Sequence, residues 1–322
     1  MKTIQNLSEF YQQELLPVLR PFEERRVKLA FNLKMLAVNG AAIIAAALTL
    51  KYTESFGVFL LVILGIWLII TGFTCYSLYS GFKSDFKDKV IGPLVKFIDE
   101  NLNYLKDAYV PQSIYNQSRI FLATPDRYRG EDYVFGKQGK TEVQFSEIHS
   151  EYKTQTRDSK GNVQTQWHTI FKGLFFTADF NKNFSGCTVV LPDTAEKLLG
   201  FLGKTLQSMN MARDKLINLE DPEFEKEFAV YSDDQVTARY ILSTSMMERL
   251  TAYKRNTGRP VSISFVNSRI FVAVSCSENM FEPKIFGSLI DFETVKKYYE
   301  SLEFGAGLVE ILDLNTRIWT KK

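Results

Sequence analysis

The sequence has few residues of the types that build catalytic or metal centres. Its 322 residues include only two histidines, His149 and His168, and three cysteines. The cysteines, Cys75, Cys187 and Cys276, are odd in number and widely spaced, which excludes a disulfide framework and a zinc ribbon. They suit a reducing compartment, and we expect them to be buried, inert thiols.

An excess of charge is also lacking. Residues 1–90 hold 10 Lys/Arg and 7 Asp/Glu, a net charge of +3. Subtraction from the totals of 39 and 37 leaves 29 basic and 30 acidic residues for 91–322, a net charge of −1. Nucleic-acid binding needs a basic footprint, so we expect no nucleic-acid partner.

Motifs for catalysis or cofactor binding are missing too. The sequence has no G-x-S-x-G, H-E-x-x-H or dinucleotide-type glycine loop. Gly-Lys-Thr occurs at 139–141 and 203–205, but a phosphate loop needs a further glycine five positions earlier, where Val134 and Leu198 stand. Carboxylates cluster at predicted helix starts such as Asp221 and Asp234, where capping explains them. We therefore assign no catalytic, cofactor-binding or metal-ligating residue and expect no cofactor.

One hypothesis for a metal site stays open at the two histidines. If the strands on either side of residues 158–162 form a hairpin of suitable register, His149 and His168 share a face with Glu147 and Glu151. A one-residue shift in register separates the histidines. The favoured interpretation is a polar, solvated hairpin face.

Two long apolar runs predict a membrane-spanning helical hairpin. Residues 56–73 contain no charge, and a helix of that length can cross the hydrocarbon core of about 30 Å. The run at 35–50 is interrupted only by Asn39. We predict spans at about 35–52 and 56–76 within a hairpin at 35–82. The alternative is a buried hairpin in a soluble protein.

The flanking charges predict the orientation of the hairpin. Residues 1–34 hold six Lys/Arg and residues 83–96 hold four, whereas the connecting loop holds only Lys51. By the positive-inside rule both termini of this multi-pass membrane protein should face the cytoplasm. Because the first apolar run starts some 35 residues in, a signal peptide is not expected.

Helical periodicity extends on both sides of the hairpin. Residues 1–34 predict an amphipathic and juxtamembrane helix whose first part ends at Pro17. Residues 83–112 predict a helix that leaves the membrane, bends at Pro93 and includes Leu105.

The rest predicts a strand-rich mixed α+β soluble domain, so the fold class is α+β. Residues 113–208 form a strand-rich subdomain with a closing helix that Asp193 caps, and 209–322 form a second α+β subdomain, with a strand near Ile318. Helix starts are predicted at Asp221, Asp234 and Asp291. The predicted strands lie at 118–124, 132–137, 142–157, 163–180 and 186–192, with a later hairpin around Asn267-Ser268.

Three stretches of the sequence resemble a known family: FKGLFFTADFNKNFSGCTVVLPDTAEKLLG (171–200), LEDPEFEKEFAVYSDDQVTARYILSTSMMERL (219–250) and LDLNTRIW (312–319). They are similar to bacterial membrane proteins grouped as domain of unknown function 3137, and the resemblance includes the preceding helical hairpin. It implies a bacterial inner-membrane protein with a cytosolic domain and raises a LemA-type membrane protein as a partner. It carries over no catalytic residue.

Two functions follow as hypotheses. The main one is a non-catalytic membrane protein whose cytoplasmic domain binds a protein or lipid partner at the inner membrane. The alternative is a membrane-anchored enzyme with an unrecognised site around His149, His168 and Glu151. The sequence by itself identifies neither the ligand nor the physiological role nor the oligomeric state.

Overall fold

The computed structural model describes residues 4–49, 54–157, 161–192 and 215–316. The chain divides into two compact units. The first unit comprises residues 1–94 and 281–300, and the second comprises residues 95–280 and 301–322. An α+β fold is confirmed, with long apolar helices followed by an antiparallel sheet and further helices.

The first unit is built on two long helical stretches. The first consists of α1 (Ile4–Phe10), a π-helical turn (Tyr11–Leu15) and α2 (Leu16–Thr49). The second begins with α3 (Glu54–Phe86) and continues through a π-helical turn (Lys87–Ile91) into α4 (Gly92–Ile98). Both are long and apolar enough to cross a membrane, and only 17% and 6% of their most apolar windows are buried.

The prediction that helix 1 ends at Pro17 is wrong. The Leu16 N–H donates to the Tyr11 carbonyl, five residues back, which makes the turn before Pro17 a π-helical turn. This wider turn accommodates a proline, which lacks an N–H and whose ring clashes with a regular helix. The helix therefore runs on through Pro17 and Pro21.

A distant segment of the chain, residues 281–300, packs against the two helices within this unit. The Arg26 guanidinium donates to the Ile285 carbonyl at 2.8 Å, and the Leu289 N–H donates to the Glu23 carboxylate at 2.9 Å. Glu282 further contacts Lys83 in an ion pair. The ends of the hairpin are thus held by residues some 200 positions away in sequence.

The predicted helix at 83–112 is shorter than expected. It ends at Ile98, and Leu105 lies in strand β1 (Leu102–Leu105) instead of on a helix. The Asp99 side chain accepts the Asn101 N–H at 2.9 Å, in a local turn that favours chain reversal over another helical turn.

The described residues of the second unit form a nine-stranded sheet in which every neighbouring pair is antiparallel, in the order β1-β2-β3-β4-β9-β8-β5-β7-β6. The strands after β1 are β2 (Arg127–Gln138), β3 (Thr141–Arg157), β4 (Val163–Asp179), β5 (Cys187–Pro192), β6 (Lys215–Ile217), β7 (Phe228–Ser232), β8 (Val261–Val266) and β9 (Arg269–Ser275). The turn between β8 and β9 has Asn267 and Ser268 at φ 46° and 61°, so the predicted hairpin is confirmed.

Helices lie between these strands and after the last of them: α5 (Gln112–Gln117), α6 (Pro222–Glu225), α7 (Gln235–Ile241) and α8 (Thr244–Thr257) lie between strands, and α9 (Phe292–Ala306) and α10 (Leu308–Ile311) follow β9. The side chain of Asp221 accepts two backbone N–H groups at the start of α6, and Asp234 does the same for α7. The predicted capping roles of both residues are confirmed. Helix α9 begins directly after Asp291, where the sequence placed it.

A cluster of buried apolar residues covers one face of the sheet. It includes Tyr115 of α5 and Ile120 from the segment that follows. The prediction of a strand at 118–124 is wrong, because Arg119 adopts φ 54° and Phe121 stacks on Tyr115 with ring centroids 5.0 Å apart. These apolar side chains cap the core from an irregular segment.

The two predicted subdomains contribute to one sheet. Strands β2 to β5 come from residues 113–208 and β6 to β9 from 209–322, and β5 pairs with both β7 and β8. The predicted helix from Asp193 and the strand near Ile318 lie outside the described residues, as do residues 209–214 of the subdomain boundary predicted near 209–215.

Candidate functional site

Five charged or polar side chains share one face of the sheet across β2, β3 and β4. His149 lies opposite Arg129 on one side and Lys172 on the other, and Glu131 lies opposite Glu147. Residues directly opposite in a ladder, and residues two apart in a strand, point to the same face. The group therefore combines two carboxylates, two cations and an imidazole on three neighbouring strands.

A cleft of about 280 Å³ opens beside this polar group. The segment that follows β9 forms one wall, with Cys276, Glu278 and Asn279 lining the cleft. Hydrogen bonds fix that wall: the Lys172 amine donates to the Ser277 carbonyl at 2.7 Å, and the Met280 N–H donates to the Glu147 carboxylate at 2.6 Å. The cleft is thus part of the sheet's own architecture.

A β-bulge in β2 brings a third carboxylate close to the two that line the cleft. The ladder shifts register between Glu131 and Val134, and Asp132 adopts φ 63° with its side chain fully buried. One carboxylate oxygen each of Glu131, Asp132 and Glu147 lies within 4.8 Å of the others. Bulges often sit beside functional sites because they redirect a side chain.

Two glycines allow the strands to approach closely at the cleft. A Cβ atom at Gly130 would lie 2.4 Å from the Glu147 carbonyl oxygen, and one at Gly173 would lie 2.0 Å from the Val274 carbonyl oxygen. Gly173 also has φ +148°, which a side chain rarely permits. Any other residue at these two positions would push the strands apart.

Among the described residues, the three carboxylates are the groups beside the cleft that could hold a metal ion. Carboxylate oxygens suit hard divalent cations. The three carboxylates, however, already accept hydrogen bonds: Glu147 from the Met280 N–H, Asp132 from the Tyr104 hydroxyl, and Glu131 from the Asn279 amide at 3.5 Å.

The thiol in the cleft wall is not arranged as a nucleophile. The Cys276 sulfur lies 3.2 Å from the Glu278 carbonyl oxygen, to which it donates. A carbonyl does not deprotonate a thiol, so this contact supplies no general base. Of the three cysteines, Cys75 and Cys187 are buried as expected, whereas Cys276 is only partly buried.

The hypothesis that His149 and His168 share a metal site is wrong. His149 lies opposite Lys172, but the register shifts between Ser150 and Glu151, so that Glu151 pairs with Thr169 and Ile170 is the extra residue of a bulge. The shift moves His168 to the other face of the β3–β4 hairpin, where its ring stacks on Tyr152 at 4.9 Å. Glu147 and Glu151 do share the face of His149, as predicted.

The Gly-Lys-Thr sequence at 139–141 forms the turn between β2 and β3. Its Lys140 N–H donates to the Asn315 side chain at 2.9 Å, and its Thr141 hydroxyl donates to the Leu314 carbonyl at 3.0 Å. The turn therefore fastens a C-terminal segment to the sheet within this unit. The copy at 203–205 lies outside the described residues.

Sequence reasoning missed the carboxylate trio and Tyr104. One signal was available: Gly130, an isolated glycine within a strand and next to two acidic residues, is typical of a bulge or of close backbone approach. The contribution of Tyr104 depends on the pairing of β1 with β2, which no local pattern indicates.

A family model matches the part of the chain that contains the wall of the cleft. The profile of a family described as a protein of unknown function (DUF3137) matches residues 169–314. This match supports membership of the DUF3137 family over residues 169–314. The DUF3137 region begins in β4 and contains the wall of the cleft, whereas the long apolar helices at 4–98 lie outside it.

Further comparisons add little to the DUF3137 assignment. No curated protein sequence matches the chain. A solved structure, that of the mycobacterial trehalose monomycolate transport factor A, TtfA, aligns with 66% of this chain and 95% of its own, at 9% identity and a TM-score of 0.32. A similarity at that level carries no argument about this protein.

Proposed function

We propose that this protein is a non-catalytic, membrane-tethered binding module. The two long helices insert in the bacterial inner membrane, both termini lie in the cytoplasm, and the sheet domain binds a protein or lipid partner at the membrane surface. A LemA-type membrane protein is the protein partner that the family resemblance raises.

The exposure of the apolar helices is the observation that carries this proposal. Phe59, Ile69 and Phe73 are 64%, 71% and 73% exposed, although they lie in the most apolar stretch of the chain. A hairpin that formed the core of a soluble protein would bury such side chains, because each gains about 1.5–3 kcal/mol on leaving water. Lipid is the solvent that makes this exposure favourable.

Fractionation of cells that produce the full-length chain tests the anchor. We expect the protein to stay in the membrane pellet after extraction at high pH and to dissolve only in detergent. Recovery in the supernatant without detergent would contradict the anchor. In spheroplasts, external protease should leave tags at both termini intact, and loss of either tag would contradict the orientation.

The cleft favours a second candidate function, a membrane-anchored enzyme that uses Glu131, Glu147 and His149. His168 lies on the other face of the β3–β4 hairpin, so this hypothesis does not include it. The double variant Glu131→Gln/Glu147→Gln of the full-length protein tests it by metal analysis after purification. A bound divalent ion that disappears in the variant would favour the enzyme, and equal metal content would favour the binding module.

A further inference from the structure

The long hairpin of β3 and β4 extends beyond the strands on either side. Strand β2 pairs with β3 only as far as Glu151, and β9 pairs with β4 only as far as Gly173. Residues 152–157 and 163–168 therefore form a two-stranded ribbon, and nearly all of them are exposed. We call this part of the hairpin the ribbon.

The two faces of the ribbon differ in chemistry. One face carries Lys153 opposite Trp167 and Arg157 opposite Val163, and Trp167 lies beneath the Arg127 guanidinium at 3.4 Å from the ring centroid. The other face carries Tyr152, Thr154, Thr156, Gln164, Gln166 and His168. Among the described residues of the ribbon, both formal positive charges and the one tryptophan thus lie on a single face, which we call the basic face.

Positive charge is concentrated in the ribbon and its turn relative to residues 91–322 as a whole. Residues 152–168 hold Lys153, Arg157 and Lys160 against Asp158, a net charge of +2. Since residues 91–322 carry −1 in total, the remainder of that region carries −3. The local excess therefore opposes the sign of its surroundings, which indicates attraction to an anionic surface.

The apolar groups on the same face identify the kind of surface. Val163 is 51% exposed and Trp167 is 36% exposed, beside the basic side chains. Tryptophan favours the headgroup level of a bilayer, where its ring is half in apolar surroundings, and Lys and Arg add attraction to anionic lipid. An added strand from a partner protein fits less well, because the Asp126 carboxylate already accepts the Lys153 N–H at 2.8 Å on the open edge of β3.

We propose that the basic face of the ribbon docks on anionic phospholipid headgroups through Lys153, Arg157 and Trp167. This inference rests on the proposed function and specifies lipid as the partner. Each basic residue near an anionic leaflet strengthens binding about fivefold, so Lys153 and Arg157 together contribute roughly thirtyfold.

Hydrogen exchange of the full-length protein in nanodiscs tests the docking. One sample contains phosphatidylcholine only, and the other contains about one-third phosphatidylglycerol. We expect the backbone amides of 152–168 to exchange at least about tenfold more slowly in the anionic discs than in the neutral ones. This difference should vanish in high salt and in the variant Lys153→Gln/Arg157→Gln. The matched control Lys137→Gln/Lys140→Gln removes two charges near the β2–β3 turn, at the opposite end of β3 from the ribbon, and should keep the protection.

Three outcomes would overturn the proposal. Equal exchange of the ribbon amides in the two kinds of disc would show that its charged side chains only prevent edge-to-edge pairing of the exposed strands. Protection that survives in Lys153→Gln/Arg157→Gln would place the contact elsewhere. Protection in neutral discs that rises with the number of chains per disc would identify a second copy as the partner. In all three cases the protein stays in the bilayer, so the anchor is tested separately by fractionation.

Discussion

At the scale of single residues, the structure shows where one atom decides the outcome. Gly173 stands where β4 meets β9 beside the cleft, and Asn39 lies inside the apolar hairpin with 3% of its surface exposed. Gly173 has no room for a Cβ atom, and Asn39 buries its polar amide in apolar surroundings. Each yields a prediction about stability.

The substitution Gly173→Ala should destabilise the sheet domain. The added Cβ would lie 2.0 Å from the Val274 carbonyl oxygen, and the positive φ adds backbone strain. We expect a loss of about 1–3 kcal/mol in the free energy of unfolding, measured by denaturant titration in detergent. Gly161→Ala is the matched control, because φ is also positive there but no atom lies within 4 Å of the new Cβ. Equal losses in both variants would exclude the close approach as the cause.

The substitution Asn39→Leu should stabilise the helical hairpin. Among the described residues, neither the amide nitrogen nor the oxygen of Asn39 has a hydrogen-bond partner. Removing an unsatisfied buried polar group gains about 1–3 kcal/mol, so thermal unfolding in detergent should shift to higher temperature. Asn39→Ala separates the loss of polarity from the filling of space. A lower unfolding temperature for the leucine variant would mean that the amide is satisfied in the native protein.

At the scale of elements, single bulges decide which side chains meet. The bulge at Ile170 places His168 on the face opposite that of His149. The bulge after Glu131 places Asp132 close to the carboxylates of Glu131 and Glu147. Alternation along a strand is readable from sequence, but an extra residue inverts it from that point onward. For this reason Glu147, Glu151 and His149 could be placed on one face from sequence, and His168 could not.

A designed histidine tests this register. Thr169 lies opposite Glu151, with its hydroxyl oxygen 3.5 Å from the Nε2 atom of His149. Thr169→His should therefore create a zinc site from two imidazoles and a carboxylate, with uptake near one equivalent in equilibrium dialysis where the wild type retains less. Thr165→His adds the same side chain to the same face, four residue pairs away from Glu151, and should not raise zinc uptake. Equal uptake by the two variants would contradict the bulge.

At the scale of the whole molecule, the compact units do not follow the order of the chain. Residues 281–300 belong to the unit of the apolar helices, although some 180 residues of the other unit lie between them in sequence. Leu289, Val295 and Tyr298 of this segment are nearly fully buried. A cytoplasmic fragment cut at the end of the hairpin would remove helical residues of this unit such as Phe86, whose ring packs on Tyr298 with centroids 5.4 Å apart.

The fragment 91–322 should therefore expose apolar surface. We expect it to bind an environment-sensitive hydrophobic dye and to elute as aggregates in gel filtration, whereas the full-length chain in detergent elutes as one species. Leu289→Ser/Val295→Ser/Tyr298→Ser in the same fragment should reduce dye binding. A monodisperse wild-type fragment with no dye binding would show that the segment folds without the helices.

The sequence by itself determined the local features of this protein. The two apolar helices, the caps at Asp221 and Asp234 and the turn at Asn267-Ser268 follow from patterns a few residues long, because helix periodicity, capping and turn geometry are short-range effects. Only the tertiary structure decided the long-range features: the faces of the two histidines, and the packing of 281–300 with the helices of its unit. Each of these depends on which distant segments pack together. A one-residue change in register alters which face a side chain occupies, and no local sequence pattern indicates that change.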